Sequence, residues 1–180
     1  LRCLALDESL LFIQGPPGTG KTHTSAHVIL ALIQAGKRVG VTSNSHKAIN
    51  NLLAKIEEIA AAERVTFSGI KKCSTSDPDS FLHGKVVTDT TENPDVEMGG
   101  WDVIGGTAYL FARPEMAGMV DYLFVDEAGQ VSLGNMLAMA GATKNIVLVG
   151  DQMQLAQPIQ GAHPGASGQS ALDYYLQGEA

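Results

Sequence analysis

No apolar run in this 180-residue chain approaches the roughly 20 residues a bilayer-spanning helix needs. No charged-then-apolar leader precedes a small-residue cleavage site either. Cysteine is scarce: Cys3 and Cys73 are the two present, they make no metal-ligand spacing, and a reduced, cytoplasmic setting is expected. Arg113 is the only arginine after residue 64, which argues against a small-molecule kinase whose lid arginines would close on a substrate. Basic charge is also short, with a net charge of −7. Residues 1–72 carry 9 Lys/Arg against 5 Asp/Glu, while residues 73–180 carry 3 against 14. A sequence-neutral duplex binder would show a basic stripe, and none is present. Any nucleic-acid contact must be local and made mostly through neutral donors.

What is present is ordinary globular composition, with 44% hydrophobic residues and length enough for a single well-buried core. The chain starts at Leu1 rather than a methionine and reads as a segment of something longer. Short β-rich apolar runs alternate with amphipathic stretches, the pattern of a parallel α/β sheet. Strands are expected at 10–14, 38–42, 65–70, 102–105, 122–126 and 145–149. Helical spacing runs over 21–35, with Ala26, Ile29, Leu30, Leu32 and Ile33 inward and Gly36 as the stop. It recurs over 47–62, with Ile49, Leu52, Leu53, Ile56, Ile59 and Ala60 inward. A short helix is expected around 132–140, and Ser170 to Leu176 offers a closing one. Residues 73–100 are polar and hold Pro78 and Pro94; they read as a surface insertion with a short hairpin around Val86 and Val87. The whole is expected to be one domain over 1–180.

Gly15-Pro16-Pro17-Gly18-Thr19-Gly20-Lys21-Thr22 fits G-x-x-x-x-G-K-[ST] and stands between an expected strand and an expected helix. Glycines let backbone N–H groups turn inward around phosphates, and the helix N-terminus adds favourable partial charge. Lys21 would reach the terminal phosphates of a nucleoside triphosphate and the Thr22 hydroxyl would ligate magnesium. Asp126-Glu127 closes an apolar strand. Such a pair is either strand-end solvation or, beside a phosphate loop, a magnesium-holding Asp126 and a water-polarising Glu127. Gln154, in Gly150-Asp151-Gln152-Met153-Gln154-Leu155, follows another strand end and is a γ-phosphate sensor or an ordinary turn residue. Polar groups also follow two further strand ends, at Thr42 to Ser45 and at Gly105 to Thr107. They can bind backbone phosphates or cap helices, and Ser45 reads as a cap. Trp101 reads as packing at the edge of 73–100.

Four blocks together resemble the first RecA-like domain of superfamily-one helicases: GPPGTGKT at 15–22, VTSNSHKAINNLL at 41–53, FVDEAGQ at 124–130 and GDQMQL at 150–155. The DEAGQ form looks like the 5′-to-3′ branch, which includes the RNA helicase of nonsense-mediated decay and the nuclease-helicase of lagging-strand processing. A weaker match lies at IGGTA, 104–108, and SALDYYL resembles the family's closing helix without its Phe and Arg. The resemblance implies a P-loop NTPase fold, a parallel sheet with helices on both faces. It implies ATP and Mg2+ held by Gly15, Pro16, Gly18, Thr19, Gly20, Lys21, Thr22, Asp126 and Gln154. Lys21, Glu127 and Gln154 would be catalytic, and Thr22 and Asp126 the metal ligands. Ser43, Asn44 and Thr107 would lie along a single strand of DNA or RNA, with Lys47 and Arg113 adding charge. Family members need a second RecA-like domain, which nothing here matches, and some carry a fused nuclease. A ring-forming AAA+-type ATPase and a nucleotide-binding scaffold are the alternatives. The first would place a polar sensor and a helical lid where this chain has GDQMQL.

Overall fold

A computed structural model describes residues 2–16 and 18–151. Pro17, Gln154 and the expected closing helix at 170–176 lie outside the described residues. Seven strands form one sheet: β1 (Leu10–Gln14), β2 (Val39–Thr42), β3 (Gly69–Lys72), β4 (Val87–Thr90), β5 (Val103–Gly105), β6 (Tyr122–Val125) and β7 (Asn145–Gly150). Their order is β1-β7-β6-β2-β5-β3-β4, and every pairing is parallel. Helices α1 (Lys21–Gln34), α2 (His46–Glu63), α3 (Asn93–Glu97), α4 (Ala108–Phe111) and α5 (Leu133–Met139) make the crossovers together with short 3-10 turns.

An all-parallel sheet must be covered on both faces, and β6 shows how the sequence arranges it. Side chains alternate along a strand, so Tyr122 and Phe124 enter one apolar cluster while Leu123 and Val125 enter the other. The first cluster is roofed by α1 and α2 through the inward residues expected from their spacing, all of them buried. The second is roofed by α4, α5 and the turn around Met116, through Leu110, Phe111, Met136 and Met139. The fold class is therefore as the sequence led one to expect. Among the described residues no helix is long and apolar enough to cross a membrane.

The third strand begins at Gly69, not at Val65. Val65 and Phe67 carry the β-like alternation, yet they only pack against the first cluster from the connecting loop. The ladder starts where Gly69 meets Val103 and runs on through Lys71 and Lys72. Lys71 is fully buried, which no hydrophobicity pattern predicts. Its ammonium is accommodated by the Ser80 carbonyl, with His46 Nδ1 at 3.3 Å and Cys73 Sγ at 3.6 Å. Burial pushes the Lys71 pKa down from its ordinary value.

The hairpin expected around Val86 and Val87 is not formed. Val87–Thr90 is instead a parallel edge strand on β3, and α3 then returns the chain toward β5. The 73–100 stretch is thus not merely a surface excursion, since Cys73, Ser80, Val87 and Val96 are all buried. Trp101 packs against the second cluster, and its indole N–H donates to the Asp95 carbonyl at 3.2 Å.

Candidate nucleotide site

The site is assembled at the C-terminal ends of β1, β7, β6 and β2, where open α/β sheets place their ligands. The loop after β1 is tied to the end of β7 by Gly15 N–H donating to the Gly150 carbonyl at 3.2 Å. Gly18 and Gly20 stand at φ 79° and 80°, in the left-handed region, which glycine enters without steric cost. A side chain on Gly15 would put its Cβ 2.8 Å from Thr19 Oγ1, so the Thr19 hydroxyl would have to shift to admit a larger residue there. Thr19 Oγ1 donates to the Pro16 carbonyl at 2.7 Å and braces the turn.

α1 follows from Gly20 with no side-chain cap on its first turn. Helix starts are ordinarily capped by Ser, Thr, Asp or Asn, so amides left open at the end of a glycine loop suit an anionic ligand. Lys21 Nζ donates to the carbonyls of Gly15 at 2.5 Å and Pro16 at 2.9 Å, which holds the ammonium at the loop's mouth.

A cavity of about 350 Å³ opens beside this loop, and Lys21, Thr22, Asp126, Glu127 and Gly150 line it. Residues from three separate strand ends, distant in sequence, thus share one space. Asp126 N–H donates to the Thr42 carbonyl at 2.9 Å, continuing the β2 ladder, and Asp126 Oδ1 accepts from Glu127 N–H at 2.9 Å. Glu127 has φ 53°, a left-handed conformation unfavourable for a residue with a side chain. Non-glycine residues held this way cluster at functional sites, and Glu127 lines the cavity.

A hydroxyl and a carboxylate oxygen are the hard donors that magnesium prefers. The Thr22 and Asp126 side chains on one cavity, next to open amides and an ammonium, fit a magnesium–triphosphate ligand.

The Asp126 carboxyl is pushed above the ordinary carboxylate range, chiefly by burial. The Glu127 charge adds to the rise; the Glu127 N–H bond and Lys21 oppose it. A carboxyl raised in the folded state binds its proton more tightly there than when unfolded. Its contribution to stability therefore falls as pH climbs from the ordinary carboxylate range through the raised value, and at neutral pH the ionised group is a cost. Asp126→Asn is expected to raise the melting temperature of the ligand-free chain at neutral pH in the presence of a chelator. The gap to the wild type should close as pH drops below the carboxylate range. Melting curves across pH check this, and an unchanged or lower midpoint at neutral pH would contradict it.

The residues expected on a single strand divide. Ser43 departs from the expectation: it is 2% exposed and its hydroxyl donates to Glu127 Oε2 at 3.4 Å, so its side chain is not offered to an outside partner. Asn44 Nδ2 donates to the Gln130 carbonyl, behind the Asp126–Glu127 pair. Thr107 makes no side-chain capping bond to α4 and lines a second cavity. Arg113 is engaged with Glu97 at 2.8 Å and Glu115 at 3.4 Å. Ser45 caps α2 by accepting from Ala48 N–H at 3.1 Å, as its reading as a cap requires.

Lys47 and Asn51 line the cavity beside the glycine loop, which motif spacing did not indicate. The signal was present in the cap. Once Ser45 sets the phase of α2, residues 47, 48 and 51 fall on one face and His46 on another.

A family model described as AAA domain matches residues 2–167. The "DNA replication ATP-dependent helicase/nuclease DNA2" of Saccharomyces cerevisiae is 29% identical over 153 residues, covering 82% of this chain and 10% of that protein. The chain thus spans about a tenth of the length of that relative. Among solved structures, the nonstructural protein 10 helicase of an arterivirus, in complex with DNA, superposes with a TM-score of 0.54 at 16% identity. That match covers 87% of this chain and 32% of the other. The UvsW helicase of bacteriophage T4 gives 0.53 at 12% identity, covering 79% and 47%. The fold is the RecA-like fold of helicase domains.

Proposed function

The chain belongs to the AAA domain family, and from that premise we propose that it is the ATP-binding motor domain of a helicase or translocase, coupling ATP hydrolysis to movement along single-stranded DNA or RNA. The observation that carries this reading is the convergence of Lys21, Thr22, Asp126 and Glu127 on one cavity at the ends of four adjacent parallel strands. Helicase names on the relative and on the solved structures support it. They lend nothing to a ring-forming ATPase or a scaffold.

In this reading the amides of Gly18 to Thr22 and the Lys21 ammonium bind the β- and γ-phosphates. Thr22 and Asp126 would hold magnesium, which would supply positive charge against the phosphate oxygens. Glu127 orients and deprotonates the attacking water, and the Ser43 hydroxyl fixes its carboxylate. Gln154 remains a sequence-based assignment to the γ-phosphate. Among the described residues that line the cavity there is no arginine. The arginine that stabilises the transferring phosphoryl group would come from a second RecA-like domain of the parent protein, and such a residue is worth roughly 10³–10⁵ in rate. A fused nuclease, as in the helicase/nuclease relative, is a further expectation for the parent.

Asn44 and Ser43 bond to the segment that carries Glu127 and adjoin the start of α2. This gives a physical route from a strand-binding face to the water-positioning group. The parent protein is therefore expected to hydrolyse ATP slowly alone and much faster with a single-stranded oligonucleotide. Thr107→Ala should raise the oligonucleotide concentration needed for half-stimulation without changing nucleotide affinity. Steady-state ATP turnover against oligonucleotide concentration tests both, and turnover indifferent to the strand would exclude a coupled motor.

A further inference from the structure

A second cavity, of about 320 Å³, lies where β5, β3 and β4 end, and the nucleotide chemistry above makes no use of it. Three neighbouring strand ends build it: Lys72 to Thr75 after β3, Thr91 and Asn93 after β4, and Thr107 to Arg113 around α4. His46, the first residue of α2, closes one side and is next in sequence to the 43–45 segment.

Two of its lining residues, His46 and Cys73, belong to a polar network around the buried Lys71. Lys71 reaches the Ser80 carbonyl and His46 Nδ1, and Cys73 Sγ lies 3.4 Å from Asp89 Oδ1. Burial, helped by Lys71, pushes the His46 pKa down, so His46 serves as a neutral hydrogen-bonding wall. Among the described residues that line the cavity, Lys72 and Arg113 carry positive charge and there is no carboxylate. Arg113 is committed to two glutamates, while Lys72 Nζ is engaged by a single backbone carbonyl, that of Cys73 at 2.9 Å.

Above these donors stands Tyr109. It is 85% exposed, although its neighbours Leu110 and Phe111 are buried in the core. An aromatic ring left in water beside a set of cationic, hydroxyl and amide donors matches the two halves of a nucleotide. The ring offers a stacking face to any base, and the donors suit a phosphate.

We infer that this cavity is a nucleotide subsite for single-stranded DNA or RNA, in which one base stacks on Tyr109 and the adjoining phosphate takes Lys72 with Thr91 and Asn93. The inference rests on the single-strand reading above. It extends the strand beyond Thr107 to the ends of β3 and of the edge strand β4, the latter lying in the 73–100 stretch that reads from sequence as a surface insertion.

The test measures binding of a fluorescent oligothymidylate, and of a strand of equal length built from abasic residues, to the full chain and its variants. Tyr109→Ala should weaken oligothymidylate roughly tenfold. Tyr109→Phe should bind like the wild type, and all three proteins should bind the abasic strand alike. Lys72→Ala should lower the salt slope of binding by about one. Tyr109 is exposed, so its variants should melt like the wild type. No loss on oligothymidylate, or an equal loss on the abasic strand, overturns the stacking site, and an unchanged salt slope overturns the phosphate contact. Failure of the wild type to bind either strand would instead sink the single-strand reading itself.

Discussion

Lys21→Ala is expected to reduce strand-stimulated ATP turnover to background, a loss of at least roughly 10²–10³-fold, the scale of removing one charge-stabilising donor from an active site. In the ligand-free chain the Lys21 ammonium is held by two loop carbonyls, those of Gly15 and Pro16, within reach of the cavity that Asp126 and Glu127 share. The other lysine on that cavity, Lys47, is exposed and springs from α2. Lys21, at the first position of α1, is bonded to the loop itself. Lys21→Arg should not rescue, because a planar fork does not fit a site built for a compact ammonium. Robust turnover by Lys21→Ala would remove the phosphate-loop reading.

The second large effect is expected from Glu127→Gln: nucleotide binding close to wild type, and turnover lower by about 10²–10⁴-fold, the range for loss of a positioned general base. The glutamine keeps the shape, can still receive the Ser43 hydroxyl and leaves the backbone at φ 53° unchanged. Only the proton-accepting capacity goes. Binding and single-turnover hydrolysis measured on the same preparation separate the two roles. Simultaneous loss of both would make Glu127 a structural residue that holds the 127–130 turn.

How much of this was legible in the sequence depends on what each residue type encodes. The phosphate loop was legible because Gly18 and Gly20 mark backbone that other residues rarely adopt, and a strand before and a helix after them confirmed the setting. The inward faces of α1 and α2 were legible because a wide apolar stripe has one period. Ser43 was legible as polar but not as buried, since a strand end does not declare which of its alternating side chains turns inward.

β3 and β4 were misjudged for a different reason. Strand patterns are read from apolar residues, and this part of the sheet is held by a polar cluster in which Lys71, Cys73, Ser80 and Asp89 bond to one another over 2 to 16 residues of sequence. Polar pairing of this kind leaves no mark in an apolar periodicity. Cys73 of this cluster also lines the second cavity.

In the proposed function the ends of β1, β6 and β7 form one magnesium–triphosphate site. A structure of the chain with magnesium and a non-hydrolysable ATP analogue is the most direct test. Lys21 Nζ is expected to leave the Gly15 and Pro16 carbonyls for the phosphates, with the cation held by Thr22 and Asp126. An analogue bound elsewhere, with Lys21 still on its loop carbonyls and no cation at Asp126, would contradict it.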